Sequence, residues 1–297
     1  MKRNPKPTVY LNVNNTQLFF DVAGPGLRPR DGVLAEVPTL LVLHGGPGSD
    51  HSAVKAPLLP LAEHYQLVWI DHRGNGRSAQ SDPVHWTLDQ WADDVRAFCD
   101  ALGIVKPIVL GQSFGGVVAQ AYGARHPEHP GKLIFSSIGA RWDFELSMKR
   151  FAERGGSAAE SAARNFWGRM AHDDMVAYRQ TCLPFYAAKA GGEDVRAMAL
   201  NKEDVMRHFL SPQGYFQQMD LRASLASITC PVLVLAGRDD PVIPWELSLE
   251  LAEAIDSGAN PPPVEFVCMD HCGHGVWRDE PQAALAVLRG FIDADAD

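Results

Sequence analysis

The chain is predicted to be an α/β protein: a mostly parallel eight-stranded sheet flanked by helices, with an all-helical segment inserted after the sixth strand. Three observations carry this expectation. Short apolar runs alternate with stretches of helical periodicity, the pattern of a doubly wound sheet. The run 108–110 leads at once into Gly111-Gln112-Ser113-Phe114-Gly115 and then into a helical stretch from Gly116 to Arg125, a strand, sharp turn and helix in sequence. The alternation stops between about residues 141 and 219 and then resumes.

Residues 8–13 and 18–22 alternate in period two and are joined across Asn14-Asn15, a hairpin at an antiparallel edge of the sheet. Residues 24–38, rich in Gly, Pro and Arg, read as a polar loop. Runs 40–43 and 67–70 are short and wholly apolar, as buried parallel strands are. Residues 87–102 place Leu88, Trp91, Ala92, Val95, Phe98 and Cys99 on one helical stripe. Runs 108–110, 132–136, 232–236 and 264–269 supply the remaining strands, and 282–292 a closing helix. Within 141–219 the aromatic and methionine residues are spaced for helix faces, and most should pack that segment onto the body. Trp167, Phe185 and Tyr186 are the candidates to line a pocket over Ser113. The expected division is a core domain of residues 1–140 and 220–297 and a lid of residues 141–219.

A chain of 297 residues, 46% of them hydrophobic, can bury one large core and an insertion. Its net charge of -9 argues against nucleic-acid or anionic-membrane surfaces. No apolar run approaches the ~18 residues of a membrane span. The basic start, residues 1–7, leads into a strand pattern rather than an apolar signal segment. The expectation is a soluble, cytoplasmic protein that acts on a small-molecule substrate, with no nucleic-acid or membrane partner; oligomeric state is not readable. The five cysteines form an odd count without framework spacing, as reduced thiols do. Cys268, His271, Cys272 and His274 lie close together, but their spacing matches no zinc pattern and Cys268 falls in a predicted buried strand, so no metal is expected.

Serine needs a base, and the base needs an orienting group. The glycines of the Ser113 pentapeptide let a strained turn lift the hydroxyl clear of the sheet edge. Run 232–236 enters Gly237-Arg238-Asp239-Asp240-Pro241, and run 264–269 enters His271-Cys272-Gly273-His274-Gly275, so acids and histidines follow in the order Ser, Asp, His at strand ends. Asp240 is preferred to Asp239 because a Pro-x-x-Pro stretch stiffens the loop after it. His274 is preferred to His271 because Gly273 and Gly275 let its loop approach the nucleophile. His44-Gly45-Gly46-Pro47-Gly48 follows run 40–43, where backbone N–H groups can meet an oxyanion; the candidate donors are Gly46 (or Gly45) and Phe114. A phosphate loop is the rival reading, but no G-x-x-x-x-G-K-[ST] is present. Residues 71–78, Asp-His-Arg-Gly-Asn-Gly-Arg-Ser, read as a structural turn tied by Asp71 and Arg73.

HGGPG at 44–48, DHRGNGRS at 71–78, GQSFGG at 111–116, GRDDPVIP at 237–244 and GHGVWRDEP at 273–281 together resemble the α/β-hydrolase superfamily. More narrowly they resemble its proline iminopeptidase-related branch, peptidase family S33. The resemblance covers roughly 39–129 and 228–292, and it implies Ser113, Asp240 and His274 as a triad. The chain departs from true proline iminopeptidases in three places. Phe114 stands where they carry tryptophan. Pro241 stands where they place a glutamate for the substrate's amine, and a second glutamate would fall near Gln213-Gly214. Glu193, Asp194, Glu203 and Asp204 are the acids that could replace them. An ammonium group buried without a carboxylate costs several kcal/mol. The reading is therefore a cofactor-free serine hydrolase cleaving an ester, lactone or related activated carbonyl of a small, largely apolar molecule through an acyl-enzyme. The alternatives are a proline iminopeptidase-type aminopeptidase and, more remotely, a non-catalytic ligand receptor on the same fold.

Overall fold

Asn14 and Asn15, at φ 44° and 58°, turn the chain between β1 (Val9–Val13) and β2 (Thr16–Ala23), with Val13 opposite Thr16. Two left-handed residues in succession make the tight hairpin that asparagine tolerates best. The computed structural model describes residues 9–30, 32–188 and 199–294. The strands that follow are β3 (Leu27–Arg30), β4 (Val33–Glu36), β5 (Thr39–Leu43), β6 (Gln66–Ile70), β7 (Ile108–Gln112), β8 (Lys132–Ser136), β9 (Val232–Gly237) and β10 (Val264–Met269). Among the described residues, eight of these ten strands form one sheet in the order β1-β2-β6-β5-β7-β8-β9-β10. From β6 to β10 all neighbours are parallel, while β2 joins both β1 and β6 antiparallel.

The expected polar loop at 24–38 instead contains the separate hairpin β3–β4, turned at Gly32 with φ +82°. Each of its strands has four residues and faces solvent on both sides, so no hydrophobic alternation marks it in the sequence. A second correction concerns β10. It is an edge strand and only half-buried, Cys268 included, because β9 covers it on one side alone.

The helices are α1 (Ser52–Leu58), α2 (Leu88–Leu102), α3 (Phe114–Arg125), α4 (Phe144–Arg169), α5 (His172–Thr181), α6 (Glu203–Leu210), α7 (Arg222–Leu225), α8 (Trp245–Asp256), α9 (Val276–Asp279) and α10 (Pro281–Asp293). Period two in β5 sorts its side chains between two cores. Leu41 and Leu43 join the core built with α2, α3 and α8; Leu40 and Val42 join the one built with α1 and α10. Thr87 caps α2 by accepting from Gln90 N–H, and Gly103 ends it at φ 66°, as the sequence pattern requires.

Helices α4 to α6 come from residues between β8 and β9, and Arg141 pairs with Asp220 where the segment leaves and rejoins the sheet domain. Gly156, at φ 67°, kinks α4 into two parts. Among the described residues no helix is long and apolar enough to cross a membrane.

Candidate active site

Strand β7 ends at Gln112 and α3 starts at Phe114, so Ser113 alone makes the turn between them. It does so at φ 51°, ψ -120°, a conformation that costs a residue with a Cβ energy. The Ser113 N–H donates to the Ser136 carbonyl at 2.9 Å and holds the turn to β8. The flanking glycines are required by contact. A Cβ on Gly115 would stand 2.1 Å from the Leu43 carbonyl oxygen, and one on Gly111 2.3 Å from the Gly115 carbonyl oxygen.

From the loop after β9, Asp240 Oδ2 lies 2.8 Å from His274 Nδ1, and His274 Nε2 lies 3.0 Å from Ser113 Oγ. A carboxylate only accepts, so Nδ1 carries the imidazole proton and Nε2 is left to accept from the serine hydroxyl. The other oxygen, Oδ1, accepts the N–H groups of Val242 and Ile243 at 2.8 and 3.0 Å. Asp240 is 1% exposed and thus fixed on every side. The rival Asp239 is half-exposed and lies 3.8 Å from the Arg154 guanidinium; His271 is exposed at the end of β10. Two glycines bring the loops together. A Cβ on Gly237 would sit 2.2 Å from the Gly273 carbonyl oxygen, and one on Gly273 2.4 Å from that of Tyr186.

Phe114 N–H opens α3 and has no intrahelical acceptor. Gly45 lies beside the nucleophile, its Cβ position 3.4 Å from Ser113 Cβ, and Gly46 follows at φ 133°. This loop is braced from below. His44 Nδ1–H donates to the Gly45 carbonyl at 2.6 Å, and His44 Nε2 accepts from His72 N–H at 3.2 Å. Asn75 Oδ1 accepts from Gly48 N–H at 2.6 Å. Burial holds both His44 and His72 below the ordinary histidine range, His72 well below it, so both imidazoles are neutral. The 71–78 turn has the structural role read from it. Buried Asp71 accepts from His51 and Arg77 N–H, and Arg73 grips Asp94 with two bonds of 2.7 Å.

Ser113, His274, Gly45, Gly46 and Phe114 border one cavity of about 900 Å³, lined on its other side by residues of the helical insertion. Trp167 and Tyr186 line it; the Tyr186 ring meets His274 edge-on at 5.2 Å, and its carbonyl accepts His274 N–H at 2.7 Å. Phe185 does not line the cavity, contrary to expectation. In the short 3-10 turn it faces the opposite way, toward Gly155 and the Arg154 guanidinium. Sequence reasoning missed Phe209 and Phe216, which close the wall, and Ala53, Val54 and Pro57 of α1. It also passed over Trp277, whose place three residues after His274 was a usable signal.

Of the acids, only Asp50 borders the cavity among the described residues, and its buried carboxylate is bound to Arg77 at 2.6 Å. Glu203 pairs with Arg207 at 2.6 Å and Asp204 lies on the exposed side of α6. Glu193 and Asp194 lie outside the described residues. Gln213 is exposed, and a Cβ on Gly214 would stand 2.4 Å from the Phe209 carbonyl oxygen, leaving no room there for a longer side chain.

A family model described as alpha/beta hydrolase fold matches residues 38–281. The protein named "Putative carbamate hydrolase RutD" of Agrobacterium fabrum is 27% identical over 267 residues, covering 87% of this chain and 94% of that protein. Proline iminopeptidase PfmaB of Pestalotiopsis fici is 24% identical, covering 96% of this chain and 99% of its own. Among solved structures, proline iminopeptidase of Mycobacterium smegmatis superposes with a TM-score of 0.77 at 22% identity, over 97% of this chain and 98% of that one.

Proposed function

The chain belongs to the α/β-hydrolase family, and from that premise we propose that it is a serine hydrolase working through an acyl-enzyme. The observation that carries the reading is the unbroken chain from Ser113 Oγ through His274 to Asp240, opening into the cavity. Ser113 Oγ attacks the carbonyl carbon while His274 Nε2 takes its proton. Asp240 keeps the imidazole oriented and offsets the charge it gains. The N–H groups of Phe114 and Gly46, with Gly45 beside them, receive the oxyanion. His274 returns the proton to the leaving oxygen, then activates the water that frees the acid and restores Ser113.

Residues 141–219 act as a lid over a core made of 1–140 and 220–297, and they set the substrate. An ester, lactone or related activated carbonyl with a small, largely apolar acyl part suits a wall built from Phe166, Trp167, Phe209, Phe216 and Met175. Aminopeptidase activity is the second reading, favoured by the likeness to two proline iminopeptidases. It ranks second because a bound α-ammonium would find no unpaired carboxylate among the described cavity residues.

A panel of aryl esters, lactones and prolyl-arylamides, with Ser113→Ala as blank, tests this. The best ester or lactone should exceed the prolyl-arylamide in kcat/KM by ~10-fold or more, about 1.4 kcal/mol in transition-state binding. Proline-naphthylamide turnover rivalling the best ester would put the aminopeptidase reading first. A fluorophosphonate probe that fails to label Ser113 would favour a ligand receptor over any enzyme.

A further inference from the structure

The wall of the cavity carries a polar feature that ester cleavage itself does not use. Trp167 and Tyr178 both line the cavity and are 4% and 3% exposed. The Trp167 indole N–H is buried and reaches no acceptor at hydrogen-bonding distance and angle, although it faces the Tyr178 hydroxyl. The Tyr178 hydroxyl in turn lies 2.8 Å from that of Tyr186, whose ring abuts His274. Aromatic rings pack on both groups. Tyr178 stacks on Phe166 at 4.2 Å, and Trp167 stands edge-on to Tyr178 at 6.4 Å.

A buried indole N–H held to no more than a poorly placed hydroxyl is uncommon and can be completed by a ligand or a water. Indole nitrogen only donates, and a phenol paired with another phenol can turn its proton to a new acceptor. The indole N–H can only be completed by an acceptor, which an oxygen of the ligand supplies and an ammonium group does not. Apolar pockets set orientation with a few such groups.

Resting on the serine hydrolase reading, we propose that Trp167 and Tyr178 form an acceptor-reading subsite, and that the preferred acyl group is apolar but carries an ether, keto or ester oxygen away from the scissile carbonyl. The simple alkanoyl ester leaves the indole N–H unsatisfied; the oxygenated one does not. A site built to bond a polar atom discriminates more strongly than one that merely accommodates it.

The test uses aryl esters of straight-chain acids and of matched acids in which one methylene is replaced by an ether oxygen or a ketone, stepped along the chain. Each kcat/KM is divided by the hydroxide hydrolysis rate of the same ester to remove inductive activation. The expected result is a preference of ~10-fold or more for one oxygen position, which falls toward unity in Trp167→Phe and in Tyr178→Phe. Two results would overturn the proposal: ratios within about twofold of unity at every position in the unaltered protein, or a preference that survives both substitutions. The measurement on the unaltered protein stands even if a variant fails to fold. A failure of the underlying hydrolase reading looks different, since then no ester is turned over and Ser113 resists fluorophosphonate.

Discussion

The strand ends and the helical insertion border the same cavity, but their residues are positioned by opposite means. At the strand ends backbone packs on backbone. Gly115 meets the Leu43 carbonyl, Gly237 meets the carbonyls of Cys272 and Gly273, and Asp240 is held by two amides of its own loop. In the insertion, aromatic side chains pack on one another: Trp142 on Trp167 at 4.7 Å, Phe166 on Tyr178 at 4.2 Å, Trp167 on Phe216 at 5.7 Å. Backbone contact tolerates one residue type and leaves a motif. Side-chain packing tolerates many and leaves only composition.

The sharpest way to break this contrast is at the triad. Ser113→Ala or His274→Ala should lower kcat by ~10³-fold or more, about 4 kcal/mol, on every substrate alike, since the residues act as a unit. Asp240→Asn should lose nearly as much, because Nδ1 would face a group able to donate. Asp239→Asn should stay near the unaltered rate. If Asp239→Asn proves the more damaging of the two, the aspartate has been misassigned.

Glycine-to-alanine substitutions compare the two regions with the same added methyl. Gly115→Ala drives a Cβ into the Leu43 carbonyl, so it should destabilise by about 1–3 kcal/mol and disturb the nucleophile turn. Gly168, exposed in α4, has nothing within 4 Å of its Cβ position. Gly168→Ala should be neutral or stabilising by up to about 1 kcal/mol, through helix propensity alone. Thermal unfolding of both variants checks the pair. Equal and large losses would mean that the insertion is as tightly determined as the strand ends.

This difference also explains what could be read from the sequence. Ser113, Asp240 and His274 were legible because strand, glycine and proline signals surround them, and the structure brings all three within hydrogen-bonding reach. Six of the sheet strands were legible from apolar runs, and β1 and β2 from period-two alternation around Asn14-Asn15. The β3–β4 hairpin was not, since a ribbon wet on both faces has no alternation. Phe185 was read toward the cavity from helical spacing, but a 3-10 turn at Leu183–Tyr186 advances side chains by a different angle and sends it away. Phe209 and Phe216 reach the cavity only because α6 and the turn after it fold back until Phe209 meets the Phe114 ring at 5.0 Å, which no local pattern announces.

The smallest expected effect concerns the histidine pair beneath the Gly45–Gly46 loop, and it again separates core from insertion. Burial keeps His44 and His72 neutral in the folded protein, below the ordinary value of 6.5 at which they titrate when unfolded. Asp71 and Asp50 pull His44 upward and His51 pushes it down, but burial outweighs them. Above pH ~6.5 both states are neutral and pH has no leverage through the pair. Below it the unfolded chain takes up protons before the folded one does, so stability falls with pH until the folded histidines protonate in turn, by up to about 1.4 kcal/mol per pH unit for each histidine. His72→Phe isolates one of the two: the ring contact with Phe114, 5.4 Å between centroids, can be retained, and the bond to His44 comes from the backbone N–H and survives. His72 Nε2 has no partner, so the change removes only the ring's interaction with the His44 backbone, a loss that is the same at every pH. The Tm of His72→Phe should therefore decline less steeply between pH 6.5 and 5.5 than that of the unaltered protein, whereas Gly168→Ala should run parallel to it. If His72→Phe loses Tm with the same slope, His72 is not held neutral by the core, and acid sensitivity has to be sought elsewhere in the molecule.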